Sequence, residues 1–172
     1  MKTRFSILTV GAIAFVFLLV CSGCSVFQAK DKTFEKAGMQ ITLTSAFYEK
    51  EIASQTAYYE STTAIVTALK EEKDLFPDFD FTIAQYTDLV LNNNHLSSEK
   101  AQRDGKEYMY FSYERSVSGK DFYYVATTHK AKDAYWLIQF ACTVENKEKM
   151  TEDFFTWADS ITFVDGDAGV AV

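Results

Sequence analysis

Residues 106–143 read KEYMYFSYERSVSGKDFYYVATTHKAKDAYWLIQFACT. Three aromatic and β-branched runs lie inside this stretch: Lys106 to Ser116, Lys120 to Thr128 and Ala134 to Thr143. Ser118-Gly119 separates the first pair and Lys130-Ala131-Lys132-Asp133 the second, which is the turn chemistry of consecutive hairpins. In the third run Trp136, Ile138 and Phe140 fall on one alternation phase, and Tyr135 and Leu137 on the other. A strand that is apolar on both phases is buried on both faces. The meander therefore needs a cover on each side.

Two helices are marked on either side of it. Thr82 and Gln85 have capping-box spacing, and Phe81 with Tyr86 has the spacing of a hydrophobic staple. Ile83, Tyr86, Leu89 and Val90 form an apolar stripe, and Asn92-Asn93-Asn94 ends the helix, since Asn tolerates the left-handed cap. Past the meander, Asn146 stands at the cap position of a second helix running to about Ser160. Met150, Phe154, Trp157, Ala158 and Ile161 share one of its faces.

Upstream, residues 33–36 and Met39 to Thr44 (MQITLT) read as short strands around Ala37-Gly38. Residues 47–61 are less regular, with Phe47, Tyr48, Tyr58 and Tyr59 expected in the core. Residues 62–73 suit a strand through Ile65, Thr67 and Leu69, or a helix through Ala64, Ala68 and Glu72. The β-branched centre favours strand. Residues 161–164 add a last short strand, and 165–172 read as a frayed tail. The expected fold class is α+β, an antiparallel sheet with helices on both faces, in a single domain over 33–164.

The chain opens MKTRFSILTVGAIAFVFLLVCSGCS. Lys2 and Arg4 make a short positive region, and Phe5 to Val20 is an uncharged apolar run. Three readings compete: a cleaved secretory signal, a retained span, and a lipoprotein signal. A span needs about 20 apolar residues, which this run does not reach. Ser22-Gly23-Cys24 after the apolar run resembles the lipobox of bacterial lipoproteins, with Cys21 where Leu is usual. That resemblance implies cleavage between Gly23 and Cys24 and a diacylglyceryl group on the Cys24 thiol. Residues 1–23 are then the signal peptide and 24–32 a lipid-anchored tether reaching on the order of 25 Å when extended. The expected location is the outer face of the cell membrane.

Composition narrows the partners. Basic side chains number 17 against 24 acidic ones, a net charge of −7, and removing Lys2 and Arg4 with the leader takes it to about −9. Such a surface is repelled by phosphate backbones, so nucleic acid is excluded as an expected partner. Past the leader, only Arg103 and Arg115 could grip phosphate bidentately. With Cys21 removed and Cys24 lipidated, Cys142 has no partner for a disulfide. Stability must come from the core, as the 16% aromatic content allows.

Gly38-Met39-Gln40-Ile41-Thr42-Leu43, Gly105-Lys106-Glu107-Tyr108, Asp133-Ala134-Tyr135-Trp136-Leu137-Ile138 and Trp157-Ala158-Asp159-Ser160-Ile161 together resemble the PsbP/Mog1/DcrB-like superfamily over residues 33–163. The chain is also similar to small lipoproteins of Gram-positive bacteria. Thr44-Ser45-Ala46-Phe47 replaces the proline-containing strand end common in the superfamily. The resemblance implies an α/β/α sandwich used for binding and assembly, and its members' unrelated tasks single out no activity.

Catalytic motifs are missing from the sequence. Gly-x-Ser-x-Gly does not occur, and Gly105-Lys106 and Gly119-Lys120 lack the rest of a phosphate loop. His95 and His129 have no ligand spacing and read as solvated or hydrogen-bonded. Asp74, Asp78 and Asp80 cluster in KDLFPDFDF, but Phe76, Phe79 and Phe81 interleave them and no Gly follows, so a solvated turn is expected rather than a calcium loop. Cys142 shares a phase with Trp136, Ile138 and Phe140 and is expected to be buried and inert. No cofactor, metal or catalytic residue is assigned, and Cys24 is the single modification site. The leading expectation is a non-enzymatic, membrane-anchored module binding a protein or cell-envelope partner. In that case some ring among Tyr108, Tyr110, Tyr113, Tyr123, Tyr124 and Tyr135, or Phe76, Phe79 and Phe81, stays exposed. The alternative is a small-ligand or hydrolytic domain assembled from Arg103, Arg115, His129 and the Asp74 to Asp80 cluster.

Overall fold

The computed structural model describes residues 30–164. The expected signal peptide, Cys24 and most of the expected tether lie outside the described residues, as does the expected frayed tail from 165. In chain order the elements are β1 (Asp31–Lys36), β2 (Met39–Thr44), β3 (Tyr48–Glu49), β4 (Ala57–Glu60), β5 (Ile65–Glu72), α1 (Ile83–Asn93), β6 (Ala101–Gln102), β7 (Met109–Val117), β8 (Lys120–Lys130), β9 (Ala134–Thr143), α2 (Lys147–Asp159) and β10 (Thr162–Phe163). The first strand begins at Asp31, two residues before the expected domain start at 33.

Seven strands make the main sheet in the order β3-β4-β5-β9-β8-β7-β6, antiparallel throughout. The meander forms as its sequence requires. Val117 pairs with Lys120 across a two-residue turn. Ser118 and Gly119 there have φ of 52° and 77°, the doubly left-handed turn whose twist matches a hairpin. Central β9 is buried on both phases, with Tyr135, Trp136, Ile138 and Phe140 fully enclosed.

The two covers lie on opposite faces. Tyr86, Val90 and Leu91 of α1 pack with Phe111, Ala126 and Tyr135. Thr82 accepts from the Gln85 N–H at 3.3 Å while the Gln85 side chain accepts from the Thr82 N–H at 2.9 Å, completing the capping box. Phe81 and Tyr86 belong to one cluster and both pack on Tyr135, at 6.0 and 4.7 Å between ring centres. The helix does not end on a left-handed asparagine. His95 takes that conformation, φ 54°, while the Leu96 N–H donates to Leu91 and the His95 N–H to Asn92, the bonding of a Schellman cap.

On the other face Met150, Phe154, Trp157 and Ala158 of α2 join Trp136, Ile138 and Phe140. Asn146 precedes α2 without capping it, because its amide donates instead to Thr143 Oγ1 at 3.0 Å. Expected β10 does form, but on a separate three-stranded sheet, β1-β2-β10. That sheet adds Met39, Ile41 and Leu43 to the same core. Ser160 pins α2 to it, its hydroxyl accepting from the Thr42 N–H at 3.0 Å. Of the rings expected in the core from residues 47–61, Phe47 and Tyr59 are buried, Tyr58 is half-buried and Tyr48 is exposed.

Cys142 lies in the α2-side core with Phe140 and Trp157, and burial pushes its thiol pKa up. Cys142→Ser strands a hydroxyl there and should lower unfolding free energy by about 1–3 kcal/mol. Chemical denaturation would read the loss. Fast alkylation of the native thiol would contradict the placement.

Candidate functional site

Helix α1 covers only one end of its sheet face. It is fastened there by a buried 2.7 Å hydrogen bond between Thr87 and Thr128 and by Tyr86 donating to Glu71 at 2.5 Å. Strand alternation carries the same face beyond the helix. Tyr58 of β4, Ile65 and Thr67 of β5, Gln139 and Ala141 of β9, Phe122 and Tyr124 of β8 and Val117 of β7 then line an open groove of about 280 Å³. Val117 is 44% exposed at its rim.

Beside the groove, aromatic rings stack. Tyr113 and Tyr124 lie parallel, 4.7 Å apart and within 2°. The Gln139 amide donates to Tyr113 Oη at 2.7 Å, and the Arg115 guanidinium sits 5.6 Å above the Tyr113 ring. Burial raises the pKa of Tyr113 to about 12 and also raises that of Tyr124. These hydroxyls stay protonated at neutral pH. No carboxylate, imidazole or thiol is among the groove's lining residues. The surface therefore offers apolar contact and neutral hydrogen bonding.

A second aromatic surface lies near the start of α1. Leu75 and Phe79 are 66% and 60% exposed. Phe79 stacks on Phe81 at 5.3 Å, and Phe76 and Phe81 both lean on Tyr135 at 6.0 Å. The rings interleaving the acidic cluster thus split between packing and exposure. Of the acidic residues, Asp80 receives Lys130 at 2.7 Å, while Asp74 and Asp78 are exposed. Among the described residues no group of three His, Cys, Asp or Glu side chains is placed to hold a metal.

The residues of the alternative site are not brought together. Arg115 is at the groove, and Asp80 is at the opposite end of that sheet face, against Tyr135. Arg103 lies near the end of α2, 3.5 Å from Asp159 and stacked on Phe155. His129 faces the α2 side, buried against Tyr108 and Phe163, with Nε2 3.0 Å from Thr127 Oγ1. His95 is exposed in its cap. Of the meander tyrosines, Tyr108, Tyr123 and Tyr135 are buried and Tyr110, Tyr113 and Tyr124 are partly open. Sequence reading missed Tyr58, Ile65, Thr67 and Gln139 as groove residues. The signal was Gln139, a polar residue in the middle of the run AYWLIQFACT.

No family model and no curated protein matches this chain. Solved structures match by shape. The Saccharomyces cerevisiae Ran-binding protein Mog1p superposes with a TM-score of 0.51 at 9% identity, over 80% of this chain and 97% of that one. The chain has a Mog1-like fold. LpqN, involved in cell envelope biogenesis of Mycobacterium tuberculosis, gives 0.50 at 9% identity over 78% and 91%. A Bacteroides thetaiotaomicron protein gives 0.55 at 13% identity over 81% of this chain, which spans 50% of that one. At such identities the likeness concerns fold, and function has to be argued from the site.

Proposed function

We propose that this protein is a lipid-anchored, extracytoplasmic binding module without enzymatic activity, which holds a protein or cell-envelope partner in the groove beside α1. The observation that carries the reading is the uncovered half of the sheet face, where Tyr58, Val117, Phe122 and Tyr124 form an apolar wall around Gln139. At about 280 Å³ the groove falls just below the usual range for small-molecule pockets, about 300–1,000 Å³. It is open along the sheet, which suits protruding side chains of a larger partner. Aromatic anchors of this kind supply much of the energy at protein interfaces. The Mog1p precedent, a Ran-binding protein, is of a similar fold serving protein recognition, and LpqN is a similar fold involved in cell envelope biogenesis. Cys24 supplies the anchor. Among the described residues no helix is long and apolar enough to cross a membrane.

The test is photocrosslinking on intact cells from a benzoylphenylalanine at Phe122. A discrete partner should be captured, and Val117→Asp should abolish capture. With the purified partner, Phe122→Ala should weaken binding about thirtyfold, the equivalent of about 2 kcal/mol. Binding unchanged by both Val117→Asp and Phe122→Ala would overturn the groove as the contact surface.

A further inference from the structure

Strand β7 is the longest unpaired edge of the main sheet. Its neighbour β6 pairs only with Met109 and Tyr110, so residues 111–117 have β8 on one side and, among the described residues, no backbone partner on the other. The two-residue hairpin fixes which groups are free. Val117 and Lys120 close the turn and exchange backbone bonds. Arg115, Tyr113 and Phe111, on the same phase as Val117, therefore also face β8. Ser112, Glu114 and Ser116 turn their N–H and C=O groups outward, and all three residues are exposed. A straight exposed edge of this kind is a template for another strand.

We infer that residues 111–117 pair antiparallel with the same stretch of a second copy, about a two-fold axis at Glu114. Only a register that joins residues of the same phase keeps the sheet continuous. The register centred on Glu114 uses the whole free edge and stops short of Tyr110, where β6 begins. Ser112 then meets Ser116 of the second copy, and the outward N–H and C=O groups of Ser112, Glu114 and Ser116 are all satisfied. On the α1-side face Tyr113 lies opposite Arg115 of the second copy, a cation beside a ring that occurs twice by symmetry, while Phe111 stays buried under α1 and meets Val117 of the second copy through its backbone position alone. Shifting the axis to Arg115 instead would set two guanidinium groups against each other.

Charged residues commonly guard a sheet edge, but here they fit the pairing. The Glu114 side chains meet at the axis on the α2 face, and each is paired with its own Lys147 at 2.8 Å, which offsets part of their repulsion. Ser116 is held by Asp121 along the hairpin and leaves the edge clear. Because Val117 belongs both to this edge and to the groove rim, pairing sets two grooves side by side across the axis. This arrangement does not depend on the groove binding a partner.

Sedimentation velocity of the full chain in detergent tests the pairing. A species of twice the chain mass is expected, its fraction rising with concentration. Glu114→Pro should return it to a monomer with unchanged circular dichroism. Proline there removes an outward N–H and spares the β8 ladder. Phe122→Ala, which alters the groove but not the edge, should leave the dimer intact. Benzoylphenylalanine at Ser112 should crosslink to the partner copy around Ser116. A monomer at every concentration, a dimer that survives Glu114→Pro, or crosslinking from Ser112 to a different protein would each overturn the inference.

Discussion

Acidification from neutral pH to about 4.5 should destabilise the domain by about 3 kcal/mol, before most of its carboxylates are protonated. The cause is His129. Burial alone lowers its pKa from the ordinary 6.5 to about 3, because the ring sits between Tyr108 and Phe163 with only the Thr127 hydroxyl within reach. Above pH 6.5 the imidazole is neutral whether the chain is folded or unfolded, and it contributes no pH dependence. Below 6.5 the unfolded chain takes up a proton that the folded chain refuses until about pH 3. Stability is thus fully present above 6.5 and falls by about 1.4 kcal/mol per pH unit below it. Asp80 and Glu60 are held below the ordinary carboxylate range by Lys130 and Lys50. Their losses begin only under their ordinary values of 3.8 and 4.5, so between pH 6.5 and 4.5 the loss due to His129 is read apart from theirs. Urea titrations at pH 7, 6, 5 and 4.5 would read the slope. His129→Gln should flatten it over this range whatever its effect at pH 7. An equal slope in wild type and variant would show that His129 is not the group responsible.

What the sequence disclosed and what it hid follow from the range of the interactions involved. The meander was legible because turn chemistry and strand alternation are local, and the two-phase burial of 135–142 required a cover on each face before any helix was placed. Both helices were marked by their apolar stripes. The separation of β10 onto the β1-β2 sheet was not legible. Its pairing of Thr162 with Gln40 joins residues from opposite ends of the domain, and no local pattern carries that information. The short β3 and β4 were hidden for a related reason, being held by pairing to β5 rather than by a run of their own. Helix ends were read less well than helix faces. A left-handed residue was expected among Asn92 to Asn94, yet the chain places His95 there, because the Leu96 N–H reaches Leu91 only if the reversal comes one residue later. The groove escaped sequence reading because it depends on how far α1 extends across five strands, a tertiary quantity. Gln139 alone hinted that the α1-side phase of β9 is not wholly core.

Replacing Cys24 with alanine should move the protein from the membrane fraction to the soluble or unprocessed pool almost completely. The motivation is the lipobox-like Ser22-Gly23-Cys24 directly after an uncharged apolar run, where small residues would let a signal peptide lie extended in a peptidase and the thiol would accept a diacylglyceryl group. Two acyl chains hold a protein stably where one is marginal, since each buried methylene contributes about 0.8 kcal/mol. Among the described residues no surface feature would replace that attachment. The net charge of −7 opposes anionic headgroups, and the exposed Leu75 and Phe79 stand beside exposed Asp74 and Asp78. Cell fractionation reads the redistribution, and mass spectrometry of the mature N-terminus reads the modification. An unmodified peptide beginning at or before Cys24 would refute the anchor while leaving the groove and the β7 edge untouched, because both are built from residues that fold without it. With the anchor in place and β1 starting at Asp31, the tether between Cys24 and the fold is short. The domain is then confined within a few tens of ångströms of the bilayer. Confinement of that kind raises the local concentration of copies on one membrane. Edge pairing of β7 that is weak in dilute solution should accordingly be stronger on the membrane, and lost there with Cys24→Ala.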